Sequence, residues 1–185
     1  MTAHSYASRC LSIALVLCTC VSPWAWAQHR RDPLNPLEID ALRETALEPE
    51  KRIKLYVKFA RERLQAMEQL RTDPKTTNRA QQTRDKLQDF LDVYDEMNDN
   101  IDNFADRKED LRKALKAVVE ADTEFQAKLR ALKSSANTNK EEVEQYRVLL
   151  ADAMDTVDHS IDDHRQLLTE QVNYPPKKKA DVRPK

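Results

Sequence analysis

The chain has 185 residues, 31 Lys and Arg against 32 Asp and Glu, three cysteines and no glycine. A net charge of −1 offers no polycationic surface for nucleic acid, and without glycine there is neither a phosphate-cradling loop nor a glycine-bearing nucleophile elbow. The length suits one domain with a modest core, and 34% charged residues with abundant Glu, Lys, Gln, Ala and Leu is the composition of long helices.

The N-terminus reads as a targeting segment. Arg9 precedes an apolar run, Cys10 to Val21, that is too short to span a bilayer, and Ala25 and Ala27 are small residues at the two positions a signal peptidase reads. The expectation is a secretory signal peptide over residues 1–27, cleaved before Gln28, and export to the periplasm or the extracellular space. Cys10, Cys18 and Cys20 all lie in that segment, so the mature chain would have no thiol and no disulfide. Leu17 and Thr19, which precede Cys18 and Cys20, argue against lipid attachment.

Residues 28–35 form a polar leader. Asn35-Pro36-Leu37-Glu38 then combines a capping residue, a proline at the first helical position and a glutamate that closes a capping box. A short helix from Pro36 to about Leu47 should turn Leu37, Ala41, Leu42 and Thr45 to one side. Pro49 starts a second helix, to about Arg71, with Ile53, Tyr56, Val57, Ala60, Leu64, Met67 and Leu70 at helical spacing. Leu55 and Phe59 widen this face, which predicts more than one neighbour. Thr72-Asp73-Pro74 breaks the helix, and Asn78 with Gln81 can start the next one.

The stretch from Asn78 to Ser134 contains no proline. Leu87, Leu91, Tyr94, Asn98 and Ile101 form one apolar seam. Lys108, Leu111, Leu115, Val118, Asp122, Phe125, Leu129 and Leu132 form a second, after a phase slip near Phe104. Read as one element, the stretch is a long, bent central helix. The alternative is a turn near 103–106, where Asp106 and Glu109 form another capping-box pattern. Residues 134–138 are a loop, Asn139 with Glu142 is a further capping box, and a last helix to about Val172 carries Val143, Tyr146, Leu150, Ala153, Val157, Ile161, His164 and Leu168. Residues 173–185 end the chain in a basic, unstructured tail whose contact with anionic envelope surfaces would be weak.

The expected fold class is therefore all-α: an elongated antiparallel helical bundle over 36–172 with a long, bent central helix, or alternatively a compact up-down four-helix bundle. Charge suggests the pairing. Helix 49–72 carries net +4, segment 78–105 net −4, segment 106–134 net +2 and helix 139–172 net −6. Folding about residue 75 sets Lys51, Lys54, Lys58 and Arg61 near Asp99, Glu96, Asp92 and Asp89. Folding about 136–137 sets Lys116 near Asp158 and Arg112 near Asp162. Such exposed pairs select partners more than they stabilise.

Two constellations suggest metal chemistry, and both have a plainer reading. Asn98, Asn100, Asp102, Asp106 and Glu109 fall at EF-hand positions, but Asn stands first and Asn103 occupies the glycine position. Asp155, Asp158, His159, Asp162, Asp163 and His164 are dense on one helix, yet the inward Glu-x-x-His motif of di-metal bundles is missing. A solvated acidic face explains them better. His164, Lys108 and Asp122 stand on seams where leucine is expected, a use that more often fixes register than does chemistry. No residue is assigned a catalytic, cofactor-binding or metal-binding role. The functional expectation is an exported, non-enzymatic helical protein that acts by protein–protein interaction in the envelope, with a homodimer as one assembly and no nucleic acid. A divalent-metal- or small-ligand-binding bundle is the alternative.

Overall fold

A computed structural model describes residues 32–135 and 140–176. The signal-peptide and leader residues up to 31, Asn139 of one expected capping box, and tail residues 177–185 lie outside the described residues. The elements are α1 (Pro36–Glu44), α2 (Pro49–Thr72), α3 (Arg79–Asp106), α4 (Arg112–Ser135), α5 (Lys140–Glu144) and α6 (Arg147–Asn173). No described helix is long and apolar enough to cross a membrane. The fold is an all-α helical bundle.

Local chemistry accounts for several boundaries. The Asn35 side chain accepts from the amides of Leu37 and Glu38, each at 3.0 Å, and Glu38 accepts from the Asn35 amide at 2.8 Å. That is the expected capping box. Its helix turns Glu38, rather than Leu37, inward: Glu38 is buried against Arg63 while Leu37 is exposed. α3 starts where Asn78 and Gln81 predict, with Asn78 as its N-cap residue, but Asn78 lies in the left-handed region (φ 50°) and makes no side-chain cap.

The long central helix is not formed. α3 ends at Asp106, and the chain turns through 107–111 before α4, so the break falls just beyond the position given by the alternative reading. The stop is a Schellman motif. The Glu109 amide donates to the Phe104 carbonyl at 3.0 Å and the Lys108 amide to the Ala105 carbonyl at 2.8 Å, with Lys108 at φ 58°. Glycine usually fills that position, and its absence is what hid the turn in the sequence. Lys108 is exposed in this turn and not a seam residue. Gln171 of α6 secures the far side: its Oε1 accepts from the Leu111 amide at 2.8 Å and its Nε2 donates to the Glu109 carbonyl at 3.1 Å.

α2 packs on α1, α3 and α4, as its wide apolar face predicts. The two hairpins expected from charge, α2 with α3 and α4 with α6, are the closest-packed pairs. Arg52 meets Asn100 and Tyr56 meets Glu96, so the α2/α3 register is close to that expected and antiparallel. The basic side chains of the expected ion pairs also reach other carboxylates. Lys54 pairs with Glu50, Lys58 with Glu62, and Arg61 reaches Glu124 of α4.

In the second hairpin the register itself differs. α5 and the turn after it lengthen the connection, and Asp158 meets Gln126 and Arg130 instead of Lys116. α2 and α4 run parallel, linked by Arg61–Glu124 and Lys128–Glu68, and α3 and α6 run parallel beside them. α3 and α4 face each other across the bundle's diagonal. Phe90 and Tyr94 of α3 meet Phe125 of α4 at its centre, with Phe90 and Phe125 edge to face at 5.5 Å. Both seams of the 78–134 stretch are thereby buried within one chain.

Candidate functional site

Below that aromatic cluster, Asp122 of α4 is fully buried. A carboxylate in such a position needs donors on both oxygens. The Tyr94 hydroxyl donates to Asp122 Oδ1 at 2.8 Å, and His164 Nδ1 lies 2.8 Å from Oδ2. With the carboxylate as acceptor, a proton sits on Nδ1. Burial raises the Tyr94 phenol well above its ordinary value of 10.0, and the Asp122 charge and its hydrogen bond raise it further. Tyr94 is therefore a permanent donor here.

The network continues into α6. The Ser160 hydroxyl acts on the Tyr94 phenol, and Asn98 Nδ2 donates to Ser160 Oγ at 3.0 Å. Asn98, Ser160 and His164 then line an open groove of about 570 Å³ between the C-terminal halves of α3 and α6. Ile101, Ala105 and Leu167 give it an aliphatic wall, and Asp102, Asp106, Asp163 and Glu170 give it carboxylates. Among the described residues no Lys or Arg lines it.

The sequence marks Asp122 and His164 as seam residues, but folding about 136–137 would set His164 near Lys108 and not near Asp122. The shifted α4/α6 register brings His164 to Asp122 instead. Tyr94 stands on a seam in the sequence pattern, and Ser160 stands on none. Their signal was present: Ser160 and His164 are four residues apart on α6, as Tyr94 and Asn98 are on α3, so each pair shares one face.

The two metal readings fare differently from one another. The EF-hand-like positions from Asn98 to Asp106 are helical, so no calcium loop exists there. The Asp155–His164 cluster is divided. His159 Nδ1 bonds the Asp155 carbonyl at 2.7 Å, Asp158 faces α4, and His164 turns into the core. Among the described residues no three His, Cys, Asp or Glu are grouped to hold a metal ion.

An Asp–His pair beside a serine invites comparison with a hydrolytic triad. The geometry differs in the decisive bond. A triad serine donates to the imidazole Nε2, whereas Ser160 acts on Tyr94, and Nε2 has no partner among the described residues. What the arrangement does is hold Tyr94 and His164 on the buried Asp122 beside an acidic groove. No protein family, no characterised protein and no solved structure matches this chain.

Proposed function

We propose that the protein is an exported, non-enzymatic helical module that works by protein–protein contact in the cell envelope, with the α3/α6 groove as its contact surface. The wide face of α2 does not serve, because α1, α3 and α4 cover it. One observation carries the reading: the groove's polarity is one-sided. Its side-chain donors are engaged within the protein, Asn98 with Ser160, Gln166 with Glu170 and His164 with Asp122. The carboxylates of Asp102, Asp106 and Asp163 meet no cation or donor among the described residues. Such a surface favours a basic partner and speeds its encounter by electrostatic steering. The export part rests on the sequence of residues 1–27.

Site-specific photo-crosslinking tests this. A photoreactive residue at Leu167, in the groove, should capture a discrete protein from the envelope, and the same residue at exposed Glu62 on α2 should not. Equal capture at both positions, or none at Leu167, would refute the assignment of the groove.

A further inference from the structure

α1 is fastened by polar chemistry more than by packing. It has nine residues, of which only Glu38 and Leu42 are buried, and among the described elements it packs on α2 alone. A helix that short does not persist unaided in water, and one leucine supplies little apolar anchorage. Two arginines of α2 hold it instead. At its N-terminal end Arg63 donates to both Glu38 oxygens, at 2.9 and 2.6 Å, and to the Pro33 carbonyl at 2.7 Å. At its other end Arg52 donates to the Leu42 carbonyl, and it also reaches Asn100 of α3. Arg52, Tyr56, Phe59 and Arg63 recur at helical spacing on α2. α1 therefore lies antiparallel along this row, where Tyr56 and Phe59 are buried between the arginines.

One carboxylate carries two tasks. Glu38 Oε2 also accepts from the Asn35 amide at 2.8 Å, closing the capping box, so the group that anchors α1 to α2 is the group that starts the helix. The charges acting on it are those of Arg63 and Lys58, both cations of α2. A proton added to Glu38 would put an O–H among groups that can only donate, the Arg63 guanidinium and the Asn35 amide. It would also leave the Arg63 side chain, 13% exposed, with the Pro33 carbonyl as its remaining acceptor among the described residues. A buried guanidinium without its anion opposes docking. Undocking, in turn, leaves the nine residues too short to stay helical. Pro49 starts α2 on its own, and the core loses Leu42 alone from this helix.

We infer that α1 is an acid-released strap: protonation of Glu38 undocks and melts it as a unit, with residues 45–48 as the hinge, and bares the Tyr56–Phe59 row of α2 while α3, α4 and α6 stay folded. The sign follows from the bonds. Burial opposes it, but Arg63 and the Asn35 amide hold the folded Glu38 below 4.5, so the strap is closed above 4.5 and opens as pH falls through that lower value.

Hydrogen exchange of the full protein, read residue by residue by NMR and corrected for the intrinsic pH dependence of exchange, tests the inference. From pH 7 down to about pH 3, protection of the amides from Ile39 to Glu44 should collapse in a step below 4.5, while amides of α3 and α4 keep theirs. Glu38→Gln keeps an acceptor for the cap but has no charge for Arg63. It should lower α1 protection about tenfold or more at pH 7 and abolish the acid step. Asp40→Asn, on the same helix but paired only with Arg43 within it, should leave the step in place. Loss of α1 protection only together with that of α3 and α4 overturns the inference. So does unchanged α1 protection in Glu38→Gln at pH 7, an acid step that survives in that variant, or a step that vanishes in Asp40→Asn.

Discussion

Asp122 is the residue on which the buried layer depends, and substituting it separates the layer's contributions. Asp122→Leu removes the acceptor for two buried donors at once, the Tyr94 hydroxyl and His164 Nδ1–H, each bonded at 2.8 Å. Stranding a buried donor costs about 1–3 kcal/mol, so the substitution should cost about 3–5 kcal/mol. That is a large share of a stability of about 5–15 kcal/mol. Asp122→Asn keeps the shape. Its oxygen accepts from Tyr94 and its amide donates to Nδ1, which forces the imidazole proton to Nε2. Two charge-assisted bonds become neutral ones, at a loss of about 1–2 kcal/mol. In the triple variant Tyr94→Phe, Asp122→Leu, His164→Leu the acceptor and both of its donors go together, only the Ser160 hydroxyl loses a partner, and stability should return to within about 1 kcal/mol of the parent or exceed it. Urea denaturation at constant slope measures the series, and imidazole nitrogen shifts report the tautomer. A triple variant less stable than Asp122→Leu alone would refute the reasoning, as would a proton still on Nδ1 in Asp122→Asn.

Other consequences follow from single residues. Lys108→Gly removes a side chain from a left-handed position at φ 58° and should raise stability by about 0.5–1 kcal/mol, seen as a higher urea midpoint. Gln171→Leu leaves the Leu111 amide and Glu109 carbonyl without their partner, should cost about 2 kcal/mol, and should speed hydrogen exchange at Leu111. Glu38 and Glu96 give opposite pH slopes. Burial alone would raise Glu38, but its hydrogen bond to Arg63, the backbone bond at Asn35 and the charges of Arg63 and Lys58 hold it below its ordinary value of 4.5. Its stabilisation is complete above 4.5 and is lost as pH falls through the lower folded value, so Glu38→Gln should destabilise at pH 7 and be neutral in strong acid. Glu96 is raised, mainly by burial, against the opposing hydrogen bond from Tyr56. Its favourable contribution exists below 4.5 and is lost as pH rises through the higher folded value, so Glu96→Gln should stabilise at pH 7 and not at pH 4. Urea midpoints at three pH values check both signs.

Charge and periodicity made the hairpins legible, because pairing of +4 with −4 and of +2 with −6 is a property of whole helices. Individual ion pairs were not legible. Lysine and arginine heads reach whichever carboxylate is nearest, often three or four residues along the same helix, as Lys54–Glu50 does. The α2/α3 register could be read because the connecting loop is short. The α4/α6 register could not, since α5 and the turn to Arg147 take up chain that the sequence assigned to the last helix. The turn at 107–111 was equally hidden: its signal is a backbone conformation that Lys108 adopts without the glycine that would announce it. The polar seam residues were visible as exceptions, but which of them meet depended on the register.

The topology explains why the groove lies where it does. The two tight interfaces, α2/α3 and α4/α6, are antiparallel hairpins whose connections force their helices together along apolar seams. α3 and α6 are parallel neighbours from different hairpins, so no short connection holds them in register. Chain connectivity leaves that interface free to part, and what ties it is polar and directional: Asn98 to Ser160, and Tyr94 and His164 to the shared Asp122. A leucine seam would have closed the gap and stabilised the bundle by apolar burial. Hydrogen bonds that depend on geometry fix the spacing of α3 and α6 instead. The polar layer thus stands at the interface that short connections constrain least, and there it does the work of register that a loop does in the two hairpins.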